Sequence, residues 1–268
     1  MADSGLKGKW ALILGSSSGF GGANSLRLSR EGMNIFGVHL DRKTTLPNAG
    51  RIQEGIRANG AEAVFFNVNA ADAEARAKVL DEIEERLGEE GRGDLRLLLH
   101  SLAFGTLKPY IAEDPNDALT QKQIEMTLDV MAHSLVYWTQ GILARGLMGE
   151  GGRIFAMTSA GGHRIWPNYG AVSAAKAALE SHIRVLTVEL APKGITANCV
   201  QAGVTDTPAL RKIPGNEEMI EHSKRVNPHG RLTTPEMVAD AIALFAASGS
   251  KWMTGNIIRV DGGEDIAG

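Results

Sequence analysis

Seven short apolar runs punctuate this chain, and helix-forming stretches separate most of them. The runs at 9–15, 34–40, 63–68, 95–101, 152–159, 195–201 and 256–260 read as strands. The stretches at 19–30, 72–87, 121–147, 167–190 and 235–247 read as helices. Thr120, followed three residues later by Gln123, predicts a capping box at the start of the third helix. Runs such as ALILG at 11–15, LRLLLH at 95–100 and RIFAM at 153–157 lack the polar alternation of a strand with one wet face. Both faces of such strands must be covered. Strand–helix alternation then implies a parallel sheet with right-handed crossovers and helices on both sides. We expect an α/β, doubly wound sheet of about seven strands in a single domain over 1–268. The segment 205–232 breaks the pattern: it is rich in Pro, Gly and charge, and reads as an inserted loop or a helical lid over a substrate site.

Composition narrows the classes of partner. A formal net charge of -3 gives no support for nucleic-acid binding. The single cysteine, Cys199, excludes an internal disulfide and a Cys-based metal site. It lies in an apolar run, as a buried thiol does, and fits a reducing cytoplasm. The N-terminal MADSGLKGKW has no long apolar stretch, so neither a signal peptide nor a membrane span is expected.

The first strand runs into Gly15, Ser16, Ser17, Ser18, Gly19, Phe20 and Gly21, and a helix follows directly. Glycines let the backbone approach a pyrophosphate, and the helix offers its free N–H groups to the anion. A tight turn would need no ligand, but a turn between a first strand and first helix is the context of dinucleotide binding and of a Rossmann-like fold. The second strand ends at His39, Leu40, Asp41, Arg42 and Lys43. Arg42 and Lys43 could pair with a 2′-phosphate, which points to NADPH. The alternative is that Asp41 reaches the adenosine ribose of NADH and the cations are solvated.

Tyr169 and Lys176 are seven residues apart in an Ala-rich helical run. Seven residues are about two turns, so both side chains share a helical face. A phenol there can donate to a reacting carbonyl, and an ammonium can hold a sugar hydroxyl and favour nearby negative charge. A core tyrosine and a solvated lysine would show the same spacing.

Together these residues resemble the short-chain dehydrogenase/reductase family over nearly the whole chain. GSSSGFG is similar to its nucleotide turn. Asn67 and Val68 stand where the family contacts adenine, and Ala202 to Thr207 resemble the segment folded over the nicotinamide carboxamide. Val260, Asp261, Gly262 and Gly263 resemble its C-terminal strand ending. Most members place the tyrosine one turn before the lysine. That position holds Val172 here, and Tyr169 lies one turn further back. The displaced tyrosine is the mark of the enoyl-acyl-carrier-protein reductase branch. His100, Ser101, Leu102, Ala103 and Phe104, and Pro167, Asn168 and Tyr169, also resemble that branch. The position of the helical asparagine of the carbonyl reducers corresponds by resemblance to Met131, with His133 nearby as a packed or solvated histidine.

The resemblance implies a reductase of enoyl thioesters in fatty acid synthesis. Its catalytic residues would be Tyr169, Lys176 and Ser159; Ser159 could instead cap its strand. The cofactor contacts would be Gly15, Ser17, Ser18, Gly19, Phe20, Gly21, Arg42, Asn67, Val68, Ser101, Leu102, Ala103, Lys176, Val204, Thr205 and Thr207. The cofactor would be NADPH, with NADH as the alternative. The substrate would ride on acyl carrier protein or coenzyme A, and the chain would assemble as a homotetramer. Ala209, Leu210 and Ile213 are candidate lining of the lid, and His163, Arg164 and Trp166 would shape the mouth. Arg211, Lys212, Lys224 and Arg225 would meet an acidic carrier or form a solvated face. Ser159 keeps a carbonyl reductase of the same fold open; a non-catalytic nucleotide sensor is a further alternative.

Overall fold

A computed structural model describes residues 4–268. The strands are β1 (Trp10–Leu14), β2 (Asn34–His39), β3 (Ala63–Asn67), β4 (Leu95–His100), β5 (Arg153–Ser159), β6 (Thr196–Ala202) and β7 (Ile257–Val260). They form one sheet in the order β3-β2-β1-β4-β5-β6-β7, with every pairing parallel. Each falls within a residue or two of its expected run. The helices are α1 (Gly19–Arg30), α2 (Leu46–Ala58), α3 (Ala73–Leu87), α4 (Gln121–Leu128), α5 (Ser134–Ala144), α6 (Gly170–Leu190), α7 (Asn216–Val226), α8 (Pro235–Ala246) and α9 (Glu264–Ala267).

The continuous apolar strands are covered on both faces, as their sequences require. On β1, Leu12 and Leu14 belong to one core with Val79 and Ile83 of α3, Trp138 of α5 and Leu179 of α6. Ala11 and Ile13 face the other core, with Leu28 of α1, Ile56 of α2 and Ile242 of α8. Trp138 is wholly buried and still satisfied: its indole N–H donates to the Ala70 carbonyl at 2.9 Å.

Two stretches differ from expectation. The helix read over 121–147 is three pieces: α4, a wide π turn over Asp129–His133, and α5. Ser134 donates back to the Val130 carbonyl at 2.8 Å within this break, a local bond that competes with regular helix pairing. The Thr120–Gln123 capping box at its start is formed in both directions. The unexpected helix α2 buries only Ala49 and Ile56, so its sequence carries a faint apolar stripe.

The chain order reverses between β1 and β4, which lie side by side with Leu14 opposite His100. Ligands of open parallel sheets bind at such a switch point, outside the carboxyl ends of the strands. Gly15, Ser101, Ser159 and Ala202 all stand at that edge. Trp138→Ala should cost about 3–5 kcal/mol of stability, since it empties a filled core site. Urea unfolding followed by circular dichroism measures that loss.

Candidate active site

The edge opens with the turn after β1. Gly15 has a φ of 92°, and a Cβ there would lie 2.3 Å from the Ser101 carbonyl oxygen. Only glycine permits this approach of the turn to the end of β4. Ser18 precedes α1 in an extended conformation, and no side chain caps the helix. Its first N–H groups are therefore oriented toward the space where a phosphate would bind.

The residues after β2 fold back toward this turn. The Asp41 carboxylate contacts His39 Nδ1 at 2.8 Å. Burial disfavours its charge, but hydrogen bonds with Thr45, Ser17 and His39 outweigh burial and lower its pKa. Asn67 holds the backbone of Asp41 from both sides: it accepts the Asp41 N–H at 2.8 Å and donates to the Asp41 carbonyl at 3.0 Å. Val68 packs against the core. Arg42 and Lys43 are exposed, and neither makes an ion pair among the described residues.

Beyond the turn lies a cavity of about 480 Å³. It brings together Tyr169, Lys176 and Ser159 with Phe20, Ser101, Leu102, Ala103, Val204, Thr205 and Thr207. The rest of the glycine turn, with Arg42, Asn67 and Val68, lies outside it. That division suits a ligand with one end in the cavity and the other along the sheet edge. Val172 and Met131 stand in the same wall, so the two positions that are polar in carbonyl reducers are apolar here.

Lys176 is 5% exposed, and its ammonium donates to the Met157 carbonyl at 2.7 Å. Two of its three protons remain for a ligand. Burial lowers its pKa to about 8. The Tyr169 phenol is pushed the other way, above its ordinary value, by burial, and a hydrogen bond with Ser159 partly offsets the rise. Ser159 also accepts the Gly161 N–H at 3.1 Å, so the serine caps its strand end and stands beside the tyrosine. Both roles considered for it are compatible.

The segment 205–232 supplies another wall. Ala209, Leu210 and Ile213 line the cavity as expected, joined by Met219, His222 and Val226. Thr207 accepts the Leu210 N–H at 3.2 Å, which commits its oxygen to the turn leading into this segment. Of the four basic residues, Arg211 pairs with Asp206 and Lys224 with Glu221, while Lys212 borders the cavity. Arg164 and Trp166 line the mouth, and His163 binds Asp265 at its rim. His133 packs against His182, with 3.0 Å between ring nitrogens.

Sequence reasoning gave no site role to three groups. His100 is fully buried with Nε2 2.8 Å from the Ser134 hydroxyl, and burial lowers its pKa to about 3. Because Ser134 donates to Val130, it accepts from His100, which fixes the neutral ring with its proton on Nε2. Glu264 and Asp265 of α9 also line the cavity, although they follow the last strand. The polar pair after the glycines 262 and 263 was the only signal for them.

A phosphate-ready turn, a strand-edge cavity and a buried tyrosine–lysine pair define an oxidoreductase built for a nicotinamide nucleotide. The chain belongs to the short-chain dehydrogenase/reductase family: residues 15–264 match the family described as enoyl-(acyl carrier protein) reductase. It is 36% identical to an NADH-dependent enoyl-acyl-carrier-protein reductase of Synechocystis sp. over 186 residues, 67% of this chain and 68% of the relative. The solved NADH-type enoyl reductase of Aquifex aeolicus superposes with a TM-score of 0.83 at 26% identity, covering 98% of each chain. A short-chain dehydrogenase of Burkholderia cenocepacia in complex with NADP superposes at 0.81 and 26% identity, covering 97% of this chain and 99% of that one. No helix among the described residues is long and apolar enough to cross a membrane.

The Lys176 ammonium gives this site a pH signature. Reductase kcat/KM, which reports the free enzyme, should fall as pH rises through about 8 and Lys176 loses its proton. A pH profile followed by cofactor absorbance tests this, and Lys176→Met should abolish that limb along with most activity.

Proposed function

We propose that this protein reduces the trans-2 double bond of an enoyl thioester. The observation that carries the reading is Val172, an apolar side chain in the cavity wall one turn before Lys176, with Tyr169 displaced a further turn. The cradle at Gly15 and the uncapped start of α1 fit a dinucleotide. When bound, a reduced nicotinamide nucleotide supplies the hydride that C3 of the substrate takes up. Negative charge then develops on the thioester oxygen. Tyr169 donates a hydrogen bond to that oxygen, and its raised pKa keeps the proton in place. Lys176 holds the ribose hydroxyls with its two unused protons and adds positive charge beside the enolate. Ser159 lends a second hydroxyl next to Tyr169. A proton at C2 completes the product.

Exposed Arg42 and Lys43 favour NADPH by offering charge to a 2′-phosphate. Asp41, turned toward Ser17, is the feature that favours NADH. The segment 205–232 acts as a lid, presenting Leu210, Ile213 and Met219 to an acyl chain. The chain is carried on acyl carrier protein or coenzyme A. Pairing of Arg211 and Lys224 with neighbouring acids weakens the basic face offered to a carrier protein. Further copies of this chain cover the β7 edge, where Ile257 is 44% exposed and Trp252, shortly before the strand, 95%, in a homotetramer. The protein works in the cytoplasm.

Ser159 favours a second reading, reduction of a ketone on the same scaffold. Turnover of crotonyl against acetoacetyl thioesters with NADPH and NADH separates them. We expect reduction of the enoyl substrate; turnover of the keto substrate alone would overturn the proposal. Tyr169→Phe should lower kcat by about a hundredfold or more while leaving cofactor Kd unchanged. Arg42→Ala should weaken NADPH about tenfold and spare NADH, since a charge-assisted hydrogen bond contributes roughly 1.5–3 kcal/mol. Equal losses for both cofactors would reject the 2′-phosphate role.

A further inference from the structure

Two consecutive residues of β5 hold two consecutive turns of α6. The Met157 carbonyl accepts from the Lys176 ammonium at 2.7 Å. The Thr158 hydroxyl donates to the Glu180 carboxylate at 2.6 Å. Glu180 follows Lys176 by one helical turn, so the two side chains leave the same face of α6. Gly162 lies over both: a Cβ there would stand 3.3 Å from Glu180 Oε1 and 3.5 Å from the Lys176 Cβ. The carboxylate binds the threonine and not the ammonium, so the unused ammonium protons stay available to a ligand. A hydroxyl partner also leaves the charge of Glu180 intact.

A buried ammonium needs a nearby anion, and the other groups packed around Lys176 offer none. Burial lowers the Lys176 pKa to about 8, and Cys199 and Glu180 oppose the fall. Cys199 on β6 is itself buried, which pushes its thiol up to about 12. At the pH where Lys176 titrates, that thiol is neutral and has no charge to give. His100 on β4 is a neutral ring and would repel the ammonium if it were charged. The Tyr169 phenol keeps its proton. His182 and Arg184, further along α6, can only add positive charge. Among these groups the Glu180 carboxylate is the one anion.

We propose that Glu180 is a positioning residue for Lys176: seated by Thr158, its carboxylate is the fixed negative charge that keeps the buried ammonium protonated. The proposal rests on the reading that protonated Lys176 serves the reductase. A mere fastening of α6 to β5 would need only the hydroxyl bond, which the side-chain amide of a glutamine would accept equally well. Charge is therefore the property that separates the two roles.

Two titrations test it. One is the pH profile of kcat/KM for the enoyl substrate. The other is the NMR titration of the Lys176 Cε resonance in the protein alone, assigned by its loss in Lys176→Met. Glu180→Gln keeps an oxygen for Thr158 and removes the charge. It should move both titrations about one pH unit toward acid, lowering kcat/KM about fivefold at about pH 8 and hardly at all at about pH 6. Thr158→Val keeps the charge but frees the carboxylate, and should move both titrations the same way by less. Coincident titrations for Glu180→Gln and wild type would overturn the proposal, and so would a shift in Thr158→Val alone. An equal loss of kcat/KM at both pH values, with the NMR titration unmoved, would also overturn it, since that is what a purely structural role produces. Wild-type kcat/KM that stayed flat while the Lys176 resonance titrated would instead overturn the reading of Lys176 as the working cation.

Discussion

Two-sided burial of the parallel sheet governs this molecule. A strand such as β1 buries Leu12 and Leu14 on one face and Ala11 and Ile13 on the other, so neither face can hold polar chemistry without cost. Reactive groups are driven to the carboxyl ends, where the backbone leaves the sheet. The reversal of chain order between β1 and β4 leaves a gap in the covering layer there. The glycine turn, Ser101, Ser159 and the start of the 205–232 segment all reach that gap because their strands end beside it.

At this edge the dominant electrostatic fact is the burial of Lys176. An ammonium withdrawn from water is costly, and its lowered pKa records that cost. One carbonyl, that of Met157, offsets only part of it. The residual demand for hydrogen-bond acceptors is what a ribose can satisfy. The same withdrawal from water raises the Tyr169 pKa, so the phenol remains a donor while the amine is poised near its titration point. Burial moves the two groups in opposite chemical senses, one toward keeping its proton and one toward losing it. Neutral His100, also buried nearby, avoids placing a second positive charge beside Lys176.

Much of this could be read from the residues, for stated physical reasons. Strands declared themselves through continuous apolar runs, because two-sided burial leaves no room for ambiguity in ALILG or RIFAM. The tyrosine–lysine face followed from helical periodicity, and the lining by Ala209, Leu210 and Ile213 from an apolar patch in a charged segment. What escaped depends on contacts between distant positions. The π turn at Asp129–His133 has no periodic signature, since a single widened turn hardly disturbs the apolar spacing around it. Helix α2 was missed because it buries little. The amide of Asn67 is bonded on both sides to the backbone of Asp41, a partner 26 residues away. Glu264 meets Val204 across 60 residues, a separation at which local pattern says nothing.

The C-terminal segment joins these elements into one device. Asp261 accepts the backbone N–H groups of Gly263 and Asp265, which starts the short helix α9 immediately after the last strand. Asp265 then binds Arg164, fixing α9 to the loop that delivers Tyr169. Glu264 accepts the Val204 N–H, fixing the same helix to the segment after β6. Two consecutive acids thus tie α9 to the loop before Tyr169 and to the segment after β6. Their charge environments differ: Asp265 is bound by two arginines and its pKa is lowered to about 2, whereas burial raises the Glu264 pKa. The tie to the loop before Tyr169 is therefore the ion-paired one.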